Sequence, residues 1–558
     1  MISPVSKRLL LTVAALAIPA AAFAAPVVSF SPARLAQHIK VLGSDAYEGR
    51  GPNTPGETKA VAYIIAQYKA VGLQPGGVMV AGKRSWTQPV PLLKAVHKVD
   101  PVVTVTTRAG PMTLKQGLDI AVRAPLDGES TVKIANAPLL FVGYGVAAPE
   151  RGWDDFKGQD VKGKILVVLI NDPDFEAGSE GDFGGKAMTY YGRWTYKYEE
   201  AARRGAAGMM IVHETAPASY GWNTVKNSNT NTMFDIVRQS PTASHTAFES
   251  WIQRDTAVKL FAAAGLDFDK AMAAARRKDF QPVALNAGMD ASIDATSTVI
   301  TSQNVVGRLV GKRRPDENVV YSAHWDHLGV GLPDARGDKI YNGALDNASG
   351  VAQLIEQARS FAMGPRPDRS LVFLAVTAEE KGLLGSEYYA RNPIYSLGKT
   401  VAVLNTDGGS IAGRAHDFGT SGAAKQDLQD MLVEEGTKQG RHYSPDPIPE
   451  AGHFFRSDHF SMAKVGVPAI SFEGGRDLLV GGEARGKALA EDYVTKRYHQ
   501  PADEYSPSWD LSGMAEDTQM LHNLGARLAN SNAWPNWSAD SEFRKLRDAS
   551  ASERTAAK

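Results

Sequence analysis

The sequence predicts an α/β protein with a mostly parallel, mixed sheet, helices on both faces and a smaller, β-rich inserted domain. Two patterns lead to this prediction. After residue 298, short apolar runs alternate with helical segments, which is typical of a parallel sheet covered on both faces. Between about residues 96 and 297, β-like runs such as VVTVTT and KILVVLI lack that alternation. We therefore expect this region to form a module of its own.

The first 24 residues have the features of a secretory signal peptide. Lys7 and Arg8 precede an apolar stretch at residues 9–21, and the tripeptide AFA at residues 22–24 offers small residues for cleavage. The apolar stretch is too short to be a good membrane anchor. We therefore expect cleavage after this tripeptide and a periplasmic or secreted protein without a membrane anchor.

Composition narrows the possible functions. The chain has 61 basic and 61 acidic residues, so no excess charge favours nucleic acid or an anionic membrane as a partner. It has no cysteine, which excludes disulfides, cysteine nucleophiles and thiolate zinc sites. A chain of 558 residues can form more than one core. Nothing in the sequence indicates an oligomeric state.

These patterns give a division of the chain after the signal peptide at residues 1–24. The predicted parts are an N-terminal portion of the main domain at 25–117, the inserted domain at 118–289, the rest of the main domain at 290–538 and a flexible tail at 539–558. Residues 30–75 show two helical segments around a Gly/Pro loop. Inside the module, residues 196–214 and 245–265 are each interpreted as helical.

Polar side chains follow apolar strands at four places in the main domain. His324 follows NVVYSA, the pair Glu379 and Glu380 follows LVFLAV, Asp407 follows TVAVLN and Glu473 follows VPAISF. Open α/β sheets bind ligands beyond the carboxyl ends of their strands. We therefore expect a functional site at this edge of the sheet.

Imidazole and carboxylate groups without thiolates suit zinc or a related divalent metal. Two metals close together need a carboxylate that bridges them. Asp346, at the start of a helix in NGALDNASG, is a candidate, although the same position suits a helix N-cap. Asp326 lies two residues after His324 and could orient its ring. His327 is a competing ligand.

This set of motifs resembles a known family. The HxD sequence at His324 and Asp326, Asp346 in NGALDNASG, AEEKGLLGS and the NTD strand end together look like the secreted co-catalytic di-zinc aminopeptidases. Their superfamily also includes glutamate carboxypeptidases and glutaminyl cyclases. The resemblance covers about residues 300–530 and implies a zinc exopeptidase fold. In the module, GYG, a KGK-led strand and GAAGMMIV resemble a protease-associated domain.

The resemblance also implies the roles of individual residues. It implies two zinc ions per chain, peptide substrates and no nucleic acid partner. One zinc would bind to His324, Asp346 and Asp407, and the other to Asp346, Glu380 and a late histidine. Asp326 would orient His324, and Glu379 would be the general base.

We assign the late histidine to His499, in RYHQPADEY before a C-terminal helix. His453 and His459 are the alternatives. Family members often carry a tyrosine shortly before the SDH sequence that holds the oxyanion, but here positions 454 and 455 are both phenylalanine. Arg456 or a metal could take that role.

The predicted function is a secreted or periplasmic zinc aminopeptidase with an inserted module that shapes access and supplies no metal ligand. A carboxypeptidase or glutaminyl cyclase on the same fold is one alternative. The other is an inactive peptide-binding protein. An inactive protein is expected to have lost ligands, whereas all five ligand positions and Glu379 are filled here.

Overall fold

A computed structural model describes residues 1, 29–175, 181–422, 426–539 and 541–554. Apart from Met1, the predicted signal peptide at residues 1–24 lies outside these ranges. Within them, no helix combines the length and apolar character needed to cross a membrane.

The N-terminal portion contains two helices followed by short strands. Pro32 opens the first helix, where its missing N–H costs nothing. The hydroxyl of Thr54 caps the second helix by accepting from the N–H groups of Gly56 and Glu57. The elements are α1 (Pro32–Leu42), α2 (Pro55–Ala70), β1 (Gln74–Pro75), β2 (Met79–Val80), β3 (Lys83–Arg84) and β4 (Thr87–His97).

The middle of the chain is rich in strands and ends in one strand of 27 residues. Its elements are β5 (Val102–Thr107), β6 (Gly110–Leu114), β7 (Ile120–Val122), β8 (Thr131–Phe141), β9 (Ala147–Ala148), β10 (Trp153–Asp154), β11 (Ile165–Leu169), α3 (Trp194–Arg203), β12 (Gly208–His213), α4 (Thr215–Ala218), α5 (Trp222–Asn229), β13 (Met233–Ile236), β14 (Phe248–Gln253), α6 (Arg254–Ala263), α7 (Phe268–Ala275) and β15 (Val283–Leu309).

Two helical interpretations in this region were only half right. Residues 196–214 contain the end of α3 and then strand β12, and residues 245–265 contain strand β14 before helix α6. Every residue of β12 is buried. A continuous apolar run buried on both faces suits an inner strand, and a short run of this kind cannot be told from a buried helix by periodicity alone.

The last part of the chain alternates strands and helices. Its elements are β16 (Arg314–His324), β17 (Gly329–Val330), β18 (Ile340–Tyr341), α8 (Ser349–Met363), β19 (Arg369–Val376), α9 (Leu384–Arg391), β20 (Thr400–Thr406), β21 (Asp417–Thr420), α10 (Asp427–Lys438), β22 (His442–Tyr443), α11 (His459–Ala463), β23 (Ala469–Gly474), α12 (Gly482–Lys496), α13 (Ser512–Asn530) and α14 (Arg544–Ala549).

The main sheet has a parallel centre with antiparallel neighbours. Strand β16 pairs in parallel with β19 and β20, and β20 pairs in parallel with β23. Strand β15 runs antiparallel to β19, and β21 runs antiparallel to β23. The first half of β15 belongs to a second sheet, where β8, β11, β12 and β14 are parallel. The predicted mixed α/β architecture is confirmed.

Alternate residues of the central strands pack against helices on opposite faces of the main sheet. Leu371, Phe373 and Ala375 of β19 join the core beneath α1, α2, α8 and α13. Val372, Leu374 and Val376 join a second cluster with residues of α9 and α11. Because both faces are covered, polar groups are expected to reach solvent only where the strands end.

The core of the middle region starts earlier than the predicted boundary at residue 118. Val103, Val105 and Leu114 pack in the same apolar cluster as Phe141 and Ile293. Strand-end chemistry and motif similarity in the sequence do not indicate which core a short hairpin joins.

The part of the predicted tail, from residue 539, that the structure describes contains a helix packed on the main domain. Residues 544–549 form α14, in which Arg547 is only 1% exposed. Its guanidinium donates to the backbone oxygens of Thr400, at 2.9 Å, and Val401, at 3.2 Å. A charged, Ser- and Ala-rich composition indicates disorder only where such side chains have no buried acceptors.

Candidate metal centre

The centre lies at the carboxyl ends of three adjacent parallel strands. His324 is the last residue of β16 and is level with Val376, the last residue of β19. Glu379 and Glu380 follow in a short helical turn, and Asp407 comes directly after β20. Parallel strands end at one edge of a sheet, so these side chains meet there.

Asp346 reaches the same edge from the segment before α8. Its N–H donates to the carboxylate of Asp503 at 3.0 Å, and the N–H of Leu345 donates to the same carboxylate at 3.1 and 3.2 Å. Asp503 is fully buried. It therefore fixes the backbone that carries Asp346. Asp503 is visible in the sequence as an acid four residues after His499, but the sequence does not show that it binds the backbone of Asp346.

Arg50 supports the loops on the other side of the centre. Its guanidinium donates to the backbone oxygens of Leu42, Trp325, Asn342 and Gly343 at 2.6–2.9 Å. Burial lowers its pKa to about 10, and nearby carboxylates oppose that shift. Arg50 is therefore a cation that ties the loop after β16 to the segment before Asp346. Its place in a Gly/Pro loop gave no sign of this role.

Two groups of ligand-type atoms share Asp346. The Nε2 atom of His324 is 3.3 Å from Oδ1 of Asp346 and 3.2 Å from Oδ1 of Asp407. The Nε2 atom of His499 is 3.3 Å from Oδ2 of Asp346 and 2.9 Å from Oε2 of Glu380. The two oxygens of Asp346 thus face different histidines. The structure brings together all five predicted metal ligands.

His327 also contacts this centre. Its Nδ1 atom is 2.5 Å from Oε1 of Glu380, and its Nε2 atom is buried without a hydrogen-bond partner. His327, Asp346 and Glu380 together have one ligand atom each within 4.8 Å of one another. His327 therefore remains a competing ligand in the second group.

The other candidates lie outside these two groups of ligand-type atoms. The Nδ1 atom of His453 is 2.8 Å from Asp446, and His459 is buried against the ring of Phe454. Glu473 accepts a hydrogen bond from Ser421 at 2.8 Å. Among the described residues, none of these three candidates belongs to a group of potential metal ligands.

Asp326 occupies its predicted place but makes a different contact from the one expected. The Nδ1 atom of His324 lies 3.1 Å from the backbone oxygen of Asp326, whereas the carboxylate is 3.8 Å away. That carboxylate instead accepts the N–H of Glu379 at 3.1 Å. Asp326 thus links two predicted site residues, because its backbone faces the histidine and its side chain faces the glutamate.

Burial and charge give the acids different proton affinities. Burial raises the pKa of Glu379 well above its usual range, and the charges of Asp407 and Glu380 act in the same direction. Burial raises the pKa of Asp326 to about 7. Burial would also raise the pKa of Glu380, but His499 and His327 outweigh it and lower that pKa to about 2.

The donor set fits a divalent cation. Glu380 and Asp326 are buried, and burying several carboxylates together is costly unless positive charge compensates them. Imidazole nitrogens and carboxylate oxygens without thiolates are ligands suited to zinc. The pKa of His499 is raised to about 9 by Glu380 and Asp346 against the effect of its burial, so the centre attracts positive charge.

The centre opens into a cavity of about 570 Å³. Glu379, Glu380 and His499 line one side of it. Trp194 and Tyr220 of the middle region line another side. The cavity therefore lies between the strand ends and the module.

The module also holds one of the candidate ligands. Ser228 Oγ lies 2.8 Å from Nδ1 of His499, and the side-chain amide of Asn227 donates to the backbone oxygen of His499 at 3.1 Å. Lys381 donates to the backbone oxygen of Ser228 at 3.1 Å. The sequence analysis missed these contacts, because a Ser and an Asn on a polar helix carry no distinguishing pattern.

Known proteins resemble parts of this chain. The model of Peptidase family M28 matches residues 304–521, which contain every predicted site residue. A probable zinc metalloprotease from Pyricularia oryzae is 29% identical over 255 residues, covering 42% of this chain and 49% of that protein. A vacuolar membrane protease from Saccharomyces cerevisiae is 30% identical over 138 residues, covering 25% of this chain and 13% of that protein. The chain thus spans half or less of these relatives.

Among solved structures, an aminopeptidase from Aneurinibacillus sp. strain AM-1 is similar over 91% of this chain and 96% of its own, with a TM-score of 0.52 and 18% identity. This likeness extends beyond the matched segment and supports the overall fold. The resemblance inferred from the sequence motifs is confirmed: the model of Peptidase family M28 matches the segment at residues 304–521, which carries the whole candidate centre.

Proposed function

We propose that this chain is a periplasmic or secreted zinc aminopeptidase that uses two zinc ions to remove N-terminal residues from peptides. The observation that carries the proposal is the position of Asp346. Its two carboxylate oxygens face His324 and His499 separately, each at 3.3 Å. A carboxylate shared in this way suits a pair of metals.

The ligand assignment follows the two groups of atoms. His324 and Asp407 would hold one zinc, His499 and Glu380 the other, and Asp346 both. We assign His499 rather than His327 to the second zinc, because its Nε2 atom contacts both Asp346 and Glu380. His327 would orient Glu380 through that residue's other oxygen.

Bound zinc would supply a water molecule of lowered pKa and would polarise the peptide carbonyl. Glu379 is the residue available to move protons. Its carboxylate lies 3.9 Å from Nε2 of His324, and its main chain is fixed by Asp326. Glu379 would accept the proton of the attacking water and return it to the leaving amine nitrogen. A raised proton affinity suits a group that must both take and give a proton near neutral pH.

The enclosure of the site favours an exopeptidase. The centre lies on one wall of a cavity that the module closes on another side, so a chain end enters more easily than the middle of a folded chain. With no hydroxyl at positions 454 and 455, the role of oxyanion donor would fall to a bound zinc or to Arg456, which lines the cavity together with Glu379.

The activity can be tested with amino-acid 4-nitroanilides, their N-acetylated counterparts and short peptides, assayed with and without a chelator. We expect hydrolysis of substrates with a free amino terminus, no hydrolysis of the blocked ones, loss of activity on chelation and recovery with zinc. Release of C-terminal residues from blocked peptides would instead indicate a carboxypeptidase. Cyclisation of N-terminal glutamine alone would indicate a glutaminyl cyclase. Zinc binding without turnover would indicate a peptide-binding protein.

Glu379 is the proposed general base and its neighbour Glu380 a proposed zinc ligand. Substituting each with glutamine should distinguish these two roles. Glu379→Gln should keep both zinc ions and lower kcat by about a hundredfold to ten-thousandfold, the usual cost of a lost general base. KM should change much less, since the lost interaction matters mainly in the transition state. Glu380→Gln should weaken one zinc site, because it removes a charged ligand.

Zinc content and steady-state rates should be measured on the same preparations of the two variants, which serve as controls for each other. Loss of zinc in Glu379→Gln with retention in Glu380→Gln would mean that the two roles are exchanged. Near-normal turnover of fully loaded Glu379→Gln would rule out Glu379 as the base.

The module should affect metal binding through Ser228. Ser228→Ala removes the partner of Nδ1 of His499, and losing such a support typically costs about tenfold to a hundredfold in metal affinity. We therefore expect weaker binding of one zinc ion and an unchanged second site, measured by titration against a competing chelator. Thr230→Ala is the matched control, because that hydroxyl donates to Lys226 within the same segment. Equal affinities in the two variants would show that the contact does not position His499.

A further inference from the structure

The cavity beside the metal centre is lined by eight Arg and Lys side chains, and four of them have carboxylate partners. The partnered ones are Arg123 with Glu249 at 2.8 Å, Arg203 with Glu200 at 2.6 Å, Arg238 with Asp235 at 2.6 Å and Arg391 with Glu387 at 2.6 Å. In each pair, the carboxylate balances the charge of the arginine. They leave no charge free to recognise a ligand.

Arg193 and Arg456 differ from these pairs. Arg193 is 8% exposed, and its Nε atom has no hydrogen-bond partner. Arg456 donates to Ser219 Oγ at 2.9 Å and to the hydroxyl of Tyr498 at 3.1 Å. Among the residues that the structure describes, no carboxylate oxygen lies within 4.0 Å of either guanidinium. Both side chains line the cavity.

Arg193 is buried and Arg456 is half-buried, and holding two guanidinium groups there without carboxylate partners is costly. Burial lowers the pKa of Arg193 to about 10, and the positive charge of Arg456 acts in the same direction. Both groups nevertheless stay charged at neutral pH, because a pKa of about 10 is still far above it. The ring of Tyr220, whose centroid is 5.2 Å from the guanidinium carbon, stabilises Arg456 in part. A buried charge kept without a counter-ion points to a ligand that supplies one.

Arg456 is linked to the proposed zinc ligand His499 through Tyr498. The hydroxyl of Tyr498 accepts from Arg456, and the centroid of the Tyr498 ring lies 3.9 Å from that of the His499 ring. Arg456 and Glu379 also line the same cavity. A substrate group bound by Arg456 would therefore remain close to the bond that is cleaved.

The other unpaired cations of the cavity are weaker candidates. Lys464 is exposed, so water compensates its charge. Lys381 is buried, but its ammonium group donates to the backbone oxygen of Ser228. Arg193 and Arg456 are thus the two guanidinium groups of the cavity that have no carboxylate partner among the described residues.

We propose that Arg193 and Arg456 form a carboxylate-binding subsite, so that the preferred substrates carry a carboxylate close to the scissile bond. Guanidinium groups match carboxylates in planar, two-point hydrogen bonds, which gives both affinity and orientation. The carboxylate would come from an acidic N-terminal side chain or from the C-terminus of a very short peptide. This inference rests on the proposed peptidase function and adds the substrate class.

Two substrate pairs distinguish these sources by their kcat/KM values. Glutamyl and glutaminyl 4-nitroanilides differ only in a side-chain charge, and Leu-Ala and its C-terminal amide differ only in a terminal charge. We expect the charged member of one pair to be preferred. Arg193→Gln should lower kcat/KM for that member about tenfold to a hundredfold, the usual effect of losing a hydrogen bond to a charged group. The neutral members should be unaffected.

Arg203→Gln is the matched control, because Arg203 lines the same cavity but has its own partner, Glu200. It should keep the preference. Arg193→Gln should fold normally, since it removes an uncompensated buried charge, and a thermal melt checks this. No preference for a carboxylate in the native protein would overturn the subsite. An equal loss for charged and neutral substrates in Arg193→Gln would also overturn it.

If the native protein hydrolyses none of these substrates, the peptidase proposal fails, but the subsite can still be tested. Calorimetric titration of the zinc-loaded protein with glutarate then compares the native protein with Arg193→Gln. The subsite predicts about tenfold or more weaker binding to the variant. Equal affinity for glutarate would overturn it.

Discussion

The contact on which this centre depends is the one between the carboxylate of Asp346 and two histidines on opposite sides of it. His324 arrives from the end of a central strand and His499 from a loop after α12, and both are 3.3 Å from an oxygen of Asp346. The carboxylate of Asp503 accepts a hydrogen bond from the N–H of Asp346 and so fixes its backbone. Moving this one carboxylate would separate the two ligand groups, and then neither group would keep three ligands.

The rest of the fold keeps these groups together in a buried position. Parallel strands deliver His324, Glu379 and Asp407 to one edge, and Arg50 ties the loops on the other side to backbone oxygens. The module closes the cavity and supports His499 through Ser228. The module was expected only to shape substrate access, yet its helix α5 contacts a proposed ligand. If His499 holds zinc as proposed, the module would contribute to metal binding as well as to the cavity.

The sequence predicted the strands and their end residues well, because buried parallel strands are short apolar runs and the residue after each run is easy to identify. It also favoured His499 over His453 and His459, and the structure places His499 beside Asp346. Ser228, Asp503 and Arg50 could not be found in this way. Their roles depend on contacts with residues up to 293 positions away, such as that of Arg50 with Gly343. Arg547 was missed for the same reason, since its acceptors are backbone oxygens of β20.

The central claim is that Asp346 bridges two metal ions. Anomalous scattering at the zinc absorption edge, from crystals of the zinc-loaded protein, measures this most directly. We predict two peaks about 3.5–4 Å apart, both within bonding distance of Asp346, with one next to His324 and Asp407 and the other next to His499 and Glu380. A single peak at full loading, or two peaks that do not share Asp346, would contradict it.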